Sequence, residues 1–202
     1  MAYDNNTPGL ITRLWRALTS PSATWSVLAL LVVGVLVGAA AVVSTQVMVS
    51  ATGTDAFCGG ACHSMQWSAA EHKKSSHGAN KHGVGAGCAD CHIPHAYPQK
   101  LWYKAMAGAK DAYHEMKGTI STEEKFKAHR LTMAKAVWEE FRGNDSANCR
   151  TCHNLTPAVL ALQKGGARKD HEGRFAEKKT CIDCHKGIAH TKPKGMKDDE
   201  EE

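Results

Sequence analysis

The amino-acid sequence predicts a mainly α-helical fold with extensive loops and one N-terminal transmembrane helix. Three observations lead to this prediction: residues 17–54 contain no charged side chain, all eight cysteines occur in four pairs that are each followed by a histidine, and no segment shows the apolar–polar alternation typical of β-strands. Outside the uncharged run, the chain is rich in Lys and His and short of Leu, Ile and Phe. The roughly 150 residues that remain cannot build a large core from side chains alone.

The uncharged run predicts a membrane anchor. Residues 27–49 are almost entirely apolar, and as a helix they would rise about 34 Å, enough to cross a hydrocarbon core of about 30 Å. Residues 20–22 are a suitable start for this helix. Trp15 and Trp25 are residues of the type found at membrane interfaces.

The basic residues predict the orientation of the anchor. Arg13 and Arg16 precede it, whereas no Lys or Arg follows until Lys73, so the N-terminus is expected in the cytoplasm and the remainder outside. The alternative is a cleaved signal peptide, with residues 28–37 as the apolar region and 39–41 as the cleavage site. A retained anchor is favoured because apolar residues continue past that site.

Four segments are predicted from these features. They are a short cytoplasmic N-terminus (residues 1–24), a transmembrane anchor helix (25–50), an exported domain (51–195) and an acidic tail (196–202) whose composition is typical of disorder. The net charge of +5 is scattered and mixed in sign, so we expect no nucleic-acid partner.

Three of the four cysteine pairs have the spacing of a haem-attachment motif, and the first pair is a variant of it. Motifs 1 to 4 are, in order, Cys58/Cys62/His63, Cys88/Cys91/His92, Cys149/Cys152/His153 and Cys181/Cys184/His185. Two thiols one helical turn apart can add to the two vinyl groups of a porphyrin, and the next imidazole reaches the iron. Structural zinc, disulfides or redox-active thiols would not require a histidine after every second cysteine. We therefore predict four covalently bound haem c groups, whose apolar faces supply the missing core.

Motif 1 differs from the others because three residues separate its cysteines rather than two. An i, i+4 pair still lies on one helix face, and Gly59 and Gly60 permit unusual backbone angles. Haem attachment is expected here as well.

The number of histidines limits which of them can bind the four haem irons. The motif histidines His63, His92, His153 and His185 are the proximal candidates. Eight further histidines compete for at most four distal positions, so about half of them are expected to be surface residues: His72, His77, His82, His95, His114, His129, His171 and His190. Met65 is another candidate because a thioether can bind haem iron, although methionine is more often a packing residue.

The order of these features resembles the NapC/NirT family of tetrahaem quinol dehydrogenases. The resemblance covers about residues 10–195 and rests on the anchor and on segments 57–65, 75–77, 88–95, 141–149 and 181–190. It implies distal ligands at His77, His95, His171 and His190. In one branch of the family a methionine placed like Met65 binds the first haem instead of the motif histidine, so His63, Met65 and His95 all remain candidates there.

The same branch of the family places a lysine and an aspartate beside the quinol. The matching residues are Lys104 and Asp111, which lie on one face if residues 97–117 form a helix. From the charge pattern alone, a solvated helix that carries Lys104, Lys110, Asp111, Glu115 and Lys117 is the favoured interpretation.

The resemblance also implies a function. It implies a single-pass protein of the bacterial cytoplasmic (inner) membrane with a periplasmic haem domain, which oxidises menaquinol or ubiquinol and passes electrons to a periplasmic terminal reductase for nitrate, nitrite or a similar acceptor in anaerobic respiration. Three alternatives stay open: a dedicated electron-transfer and anchoring subunit of one nitrite reductase complex, a terminal reductase acting on a small oxyanion, and a carrier that runs in reverse to reduce quinone. The many candidate distal histidines argue against the second alternative.

Two further local features are predicted. Residues 121–124 resemble a capping box that opens a helix through about Phe141, whose apolar side chains are the candidate core: Phe126, Met133, Val137, Trp138 and Phe141. Gly165 and Gly166 are expected in a loop.

Overall fold

The computed structural model describes residues 9–20 and 24–196, and within them it contains helices and loops but no strands. The prediction of a mainly α-helical fold with extensive loops is therefore confirmed. The chain divides into two compact units, Met1–Val47 and Met48–Glu202. Most of the predicted acidic tail, and the first eight residues, lie outside the described residues.

The first unit contains helix α1 (Leu10–Thr19) and most of helix α2 (Val27–Ala51). Helix α2 has 25 residues and a mean hydropathy of 2.8, and it is long and apolar enough to cross a bilayer. Its start was predicted wrongly at residues 20–22. Instead, the Ser26 hydroxyl accepts a hydrogen bond from the Ala29 N–H at 3.2 Å and caps the helix one residue before Val27. Helix α1 was not predicted.

The second unit contains short helices around the four motifs and two long ones. Its described helices are α3 (Asp55–Gly60), a 3₁₀ turn (His63–Met65), α4 (Gln66–His72), α5 (Cys88–His92), α6 (Gln99–Met116), α7 (Glu123–Gly143), α8 (Ala147–Arg150), α9 (Pro157–Ala161), α10 (Gly165–Glu177) and α11 (Cys181–Cys184).

The beginning of α7 follows from its capping residue. The Thr122 hydroxyl accepts a hydrogen bond from the Lys125 N–H at 3.4 Å, which satisfies one of the free donors in the first helical turn. The helix predicted from residues 121–124 is thus confirmed, with Thr122 as the cap.

Helix α7 connects α4 to the last motif. The Phe126 ring stacks on Trp67 with centroids 5.3 Å apart, and Arg130 donates two hydrogen bonds to the Glu71 carboxylate at 2.8 and 2.6 Å. Near the other end, Arg142 Nε donates to Asp183 Oδ1 at 2.7 Å. These contacts place α4 and α11 along one long helix.

The side-chain core is small. Among the described residues, the buried apolar side chains are Phe126, Trp138, Leu160 and Ile182. Met133, Val137 and Phe141 from the predicted core are only half-buried. The second unit thus buries few apolar side chains among its described residues, as its composition predicted.

One predicted loop is a helix. Gly165 and Gly166 begin α10, because a glycine at a helix start costs far less than one in the interior. This helix carries His171.

Candidate haem-attachment sites

Motifs 2, 3 and 4 are each built on one helical turn. Helix α5 spans the whole of motif 2. In motif 3 the His153 N–H donates to the Cys149 carbonyl at 2.8 Å, and in motif 4 the His185 N–H donates to the Cys181 carbonyl at 2.9 Å. These bonds hold the first cysteine and the histidine of each motif one turn apart, as the chemistry of haem attachment requires.

Motif 3 is only partly α-helical. Helix α8 ends at Arg150, so Cys152 lies in the turn beyond the helix. Its N–H donates to the Cys149 carbonyl at 3.3 Å, which is the three-residue spacing of a tighter turn rather than that of an α-helix. The helix therefore ends between the two thiols of motif 3, and a turn carries the chain on to Cys152 and His153.

Cys152 also differs in its exposure. Cys152 and Cys184, the second thiols of motifs 3 and 4, are exposed, whereas the other six motif cysteines are half-buried. The protein's own side chains therefore do not enclose these two residues. The haems, rather than side chains, were expected to supply the core there. Haem attachment at Cys152 stays a prediction, and it rests on the spacing of the motif.

The cysteine thiols are not paired with one another, since none of the eight forms a disulfide. Burial raises the pKa of Cys88 to about 12 and that of Cys149 to about 11. A redox-active or nucleophilic cysteine has a lowered pKa instead. The thiol environment therefore argues against a redox-active Cys pair and fits a site of covalent attachment.

Motif 1 has a different backbone. Helix α3 ends at Gly60, and Cys62 is extended with φ −104° and ψ 110° before His63 begins the 3₁₀ turn. The prediction that Cys58 and Cys62 share one helix face is therefore wrong. Two consecutive glycines have low helix propensity, and the helix ends at them.

Gly59 in motif 1 serves close packing rather than an unusual backbone angle. Neither it nor Gly60 has a positive φ. A Cβ atom at Gly59 would lie 2.7 Å from the Cβ of Ala69 in α4, whereas one at Gly60 would meet nothing within 4 Å. The predicted role of these glycines is thus corrected: Gly59 lets α4 approach motif 1.

Three motif histidines each face one of the histidines that the family resemblance singled out. The ring centroids are 6.1 Å apart for His77 and His153, 6.2 Å for His92 and His190, and 5.8 Å for His171 and His185. Two imidazoles that bind one metal ion from opposite sides, with bonds of about 2 Å, have centroids roughly 6 Å apart. These three pairs have the separation that an axially ligated iron needs.

In two of these histidines, His171 and His77, the ring nitrogen Nδ1 lies near an oxygen atom. His171 Nδ1 lies 2.7 Å from Gln163 Oε1, which leaves its Nε2 3.5 Å from the Nε2 of His185. His77 Nδ1 lies 3.4 Å from the carbonyl of Ile188. A metal-bound histidine usually donates its second ring N–H in this way.

His95 is placed differently. Its side chain is exposed, and its Nε2 lies 3.0 Å from the carbonyl of Asp90, which lies between the two cysteines of motif 2. No ring contact joins it to His63 within the described part of the chain. His63 is exposed and Met65 is 39% exposed, and both belong to the 3₁₀ turn that follows Cys62.

The remaining histidines are not all on the surface. His82, His114 and His129 are exposed as expected, but His72 is buried, with its Nε2 2.8 Å from the carbonyl of Ala86. With His95 also exposed, four of the eight further histidines lie on the surface, which is the expected half. His72 is not among them, because α4 carries it against the loop that leads into motif 2.

Side-chain to backbone hydrogen bonds connect motifs 1, 2 and 3. Asp55, in the first turn of α3, accepts from the Cys88 N–H at 2.7 Å. The Asn148 amide donates to the carbonyls of Cys91 and Ile93 at 2.7 and 3.1 Å. Neither residue was singled out from the sequence, since the partners of both are distant in the chain.

A similar contact connects motifs 3 and 4. Ser146 is 1% exposed, and its hydroxyl accepts from the Ile182 N–H at 3.3 Å. Asp145 and Ser146 both have left-handed backbone angles, with φ of 52° and 50°, which turn the chain sharply between α7 and α8. Ser146 was not singled out from the sequence, since Ile182 is distant in the chain.

Helix α6 lies beside motif 1. Its predicted helical character is confirmed, so Lys104, Asp111 and Glu115 share one face at spacings of seven and four residues. Lys104 Nζ donates to the carbonyl of Val49 at 3.0 Å, and the Ser64 hydroxyl donates to the Glu115 carboxylate. Glu115 was predicted to be merely solvated.

The charges of this face act on motif 1. Burial raises the pKa of Cys58 and of Cys62. Lys104 opposes the rise at Cys58. The negative charges of Glu115 and then Asp111 add to the rise at Cys62. Burial also raises the pKa of Asp111 itself, against the opposing effect of Lys110. Because the Asp111 side chain is exposed, solvent screens part of this effect. Burial lowers the pKa of Lys104.

Comparison with known proteins identifies similar chains. The family model described as "NapC/NirT cytochrome c family, N-terminal region" matches residues 20–195. The chain is 40% identical to the denitrification system component NirT of Stutzerimonas stutzeri over 92% of each chain. It is 41% identical to the tetraheme c-type cytochrome CymA of Shewanella oneidensis, over 90% of this chain and 99% of the relative.

Two further similarities extend this comparison. The cytochrome c-type protein NapC of Haemophilus influenzae is 38% identical over 92% of this chain and 91% of its own. A chain in the crystal structure of the cytochrome c nitrite reductase NrfHA complex bound to the HQNO inhibitor is 27% identical, with a TM-score of 0.49 over 86% of this chain and 97% of that chain. From the family match and the near full-length relatives, the chain belongs to the NapC/NirT cytochrome c family, and it is a haem-containing electron-transport protein.

Proposed function

We propose that this protein is a membrane-anchored tetrahaem cytochrome that oxidises membrane quinol and passes the electrons to a periplasmic terminal reductase in anaerobic respiration. The observation that carries the proposal is the position of Lys104 and Asp111, on the face of α6 that lies beside motif 1, with Lys104 bonded to the end of the apolar helix α2. A lipid-soluble substrate that leaves the bilayer at this end of α2 meets motif 1 first.

The orientation is part of the proposal. Arg13 and Arg16 precede α2 in the chain, and the four motifs follow it. The positive-inside rule supports a cytoplasmic N-terminus and a periplasmic haem domain, in the inner membrane of a bacterium.

Four covalently bound haem c groups are proposed at the eight motif cysteines. Haem iron supplies one-electron redox chemistry whose potential depends on its axial ligands and surroundings. We propose three axial pairs, which are His92 with His190, His153 with His77, and His185 with His171. Burial lowers the pKa of His92 to about 4 and also lowers the pKa of His185 and of His190. Neutral imidazoles, the form that binds metal, are therefore retained at neutral pH.

For the first haem, His63, Met65 and His95 are the proposed candidates. His63 and Met65 both follow Cys62 directly within the 3₁₀ turn, so they are placed to reach a group attached to motif 1. His95 directs its Nε2 to the carbonyl of Asp90. The placement thus supports His63 or Met65 over His95.

Lys104 and Asp111 have distinct proposed roles. Oxidation of one quinol to quinone releases two electrons and two protons. Asp111, when ionised, accepts a hydroxyl proton from the quinol and releases it to solvent, to which its side chain is exposed. Its raised pKa makes it a better base than an ordinary aspartate. Lys104 donates a hydrogen bond to the quinol oxygen on which negative charge develops.

The test of this site is Asp111→Asn in the full-length holoprotein. We expect the rate of haem reduction by quinol to fall about 10²-fold, the typical contribution of one general base, while haem reduction by dithionite is unchanged. Glu123→Gln, which removes an exposed carboxylate from the start of α7, is the matched control and should change neither rate. Equal quinol kinetics in the wild-type and Asp111→Asn proteins would contradict the proposed role.

The proposed partner is a periplasmic reductase for nitrate, nitrite or a similar acceptor, and this rests on the names of the relatives. Quinol-reduced protein should transfer electrons to more than one purified reductase of this class. Transfer to a single reductase, together with a stable stoichiometric complex after detergent purification, would instead identify the chain as a dedicated subunit.

A further inference from the structure

Helix α1 separates its apolar and polar side chains by face. At about 100° per residue, Leu10, Ile11, Leu14 and Trp15 fall within an arc of about 140° on the helix surface. The opposite arc carries Thr12 and the two basic residues, Arg13 and Arg16.

The apolar face of α1 is exposed within its own unit. Leu10 is 75% exposed, Ile11 83%, Leu14 56% and Trp15 68%. An exposed stripe of this size on a soluble helix would be costly in water, at about 25 cal/mol for each Å² of apolar surface. An exposed apolar face of this kind marks a site of contact with another surface.

We propose that α1 is an interfacial helix that lies on the cytoplasmic surface of the membrane, with its apolar face in the lipid and with Arg13 and Arg16 at anionic headgroups. A strongly amphipathic helix with basic residues on its polar face and bulky apolar residues opposite is the type that lies in the membrane interface. The inference rests on the proposed function in one respect: α2 crosses the membrane with the N-terminus in the cytoplasm.

The distance along the chain supports a lipid surface as the occupant. Only residues 20–26 separate α1 from α2, and a fully extended chain of that length reaches at most about 25 Å. Once α2 is inserted, α1 is confined near the membrane surface, so that weak affinity for lipid suffices to keep it bound. No acidic residue lies in α1 to oppose anionic lipid, and each basic residue near such a surface adds to the attraction.

The experiment uses nitroxide labels in the full-length holoprotein, reconstituted in vesicles of phosphatidylglycerol and phosphatidylcholine. Single cysteines are introduced by Ile11→Cys or Leu14→Cys on the apolar face, or by Thr12→Cys on the polar face as the matched control. All native cysteines belong to the four motifs, where covalent haem is proposed, so the new thiol alone is expected to take the label. The parent protein without an added cysteine, treated in the same way, measures any other labelling. Collision rates with oxygen, which partitions into lipid, and with a water-soluble nickel chelate report the environment of each label.

We expect the ratio of oxygen to nickel collision rates to be severalfold higher at positions 11 and 14 than at position 12. Equal ratios at the three positions would overturn the inference. Low collision rates with both reagents at positions 11 and 14 would also overturn it, because a protein surface would then cover the apolar face.

A label at Val37→Cys, in the middle of α2, separates failure of this inference from failure of the proposed anchor. A lipid environment at position 37 with an aqueous one at position 11 rejects the interfacial helix alone, whereas an aqueous environment at position 37 rejects the anchor. A second variant tests the lipid charge: Arg13→Glu combined with Arg16→Glu should lower the oxygen-to-nickel ratio at position 11 in phosphatidylglycerol vesicles. An unchanged ratio would exclude a role for anionic headgroups.

Discussion

Motif 1 and motif 4 carry the same three chemical groups in different structures. Motif 4 is a single helical turn, and its His185 faces His171, whose outer nitrogen is bonded to Gln163. Motif 1 is interrupted at Gly60, and its flank is formed by the charged face of α6. Under the proposed function, motif 4 would hold a haem between His185 and His171 and relay electrons, whereas motif 1 would bring the charged side chains of α6 close to the quinol.

The largest expected effect concerns the histidine pairs. His171→Ala and His77→Ala should each open one axial position and so add one carbon monoxide-binding haem to the reduced protein, because each removes a ring from a pair about 6 Å apart. His95→Ala should add none, because the Nε2 of His95 lies against the carbonyl of Asp90.

Carbon monoxide difference spectra of the dithionite-reduced holoprotein measure this effect, with His129→Ala, an exposed histidine of α7, as the control. A gain of one binding site in His95→Ala, or no gain in His171→Ala, would remove the distinction between the two motifs.

The next effect is the pH dependence of quinol oxidation. The base form of Asp111 is its carboxylate, and burial raises its pKa above the ordinary value of 3.8. The rate of haem reduction by quinol should therefore be full above this raised pKa and should fall as the pH drops through it.

The Asp111→Asn protein should be slower at every pH, and its rate should no longer fall as the pH drops. The Glu123→Gln protein should keep that fall. Stopped-flow absorbance of the haems over a range of pH measures both. If the rate of the Asp111→Asn protein still falls at low pH, a group other than Asp111 is responsible for the pH dependence.

A smaller effect is expected where motif 3 contacts motif 2. Asn148→Ala removes the donor to the carbonyls of Cys91 and Ile93, and the free energy of unfolding should fall by about 2 kcal/mol because partly buried acceptors lose their partner. Asn154→Ala, at an exposed position after motif 3, is the matched control. Denaturant unfolding followed by haem absorbance gives both values, and equal values for the two variants would contradict the contact.

The smallest expected effect is at the glycines of motif 1. Gly59→Ala brings a Cβ to 2.7 Å from Ala69 and should cost about 1 kcal/mol of unfolding free energy through overpacking. Gly60→Ala meets nothing within 4 Å and should be neutral. Ala69→Gly has a helix-propensity cost of its own, but it should cost less in the Gly59→Ala background than in the wild type. Equal costs in the two backgrounds would show that the Gly59→Ala effect has another origin.

Features that are local in the chain were predictable from the sequence. The apolar run that forms α2, the helical turn of motif 4 and the cap of α7 at Thr122 each depend on residues within a few positions of one another. The exceptions are local as well. Helix α1 and its amphipathic pattern were overlooked although the signal is in the sequence, and Cys58 and Cys62 were predicted to share one helix face although the helix ends between them.

The sequence by itself determined that this chain carries thiol pairs with adjacent imidazoles and an apolar segment of membrane length, because each is a matter of spacing along the backbone. Only the tertiary structure decided which distant histidine faces which motif, and that Glu115, Asn148 and Ser146 contact the motifs at all. These contacts join residues that are tens of positions apart. They depend on how α6, α7 and α8 pack, which no local pattern of residues encodes.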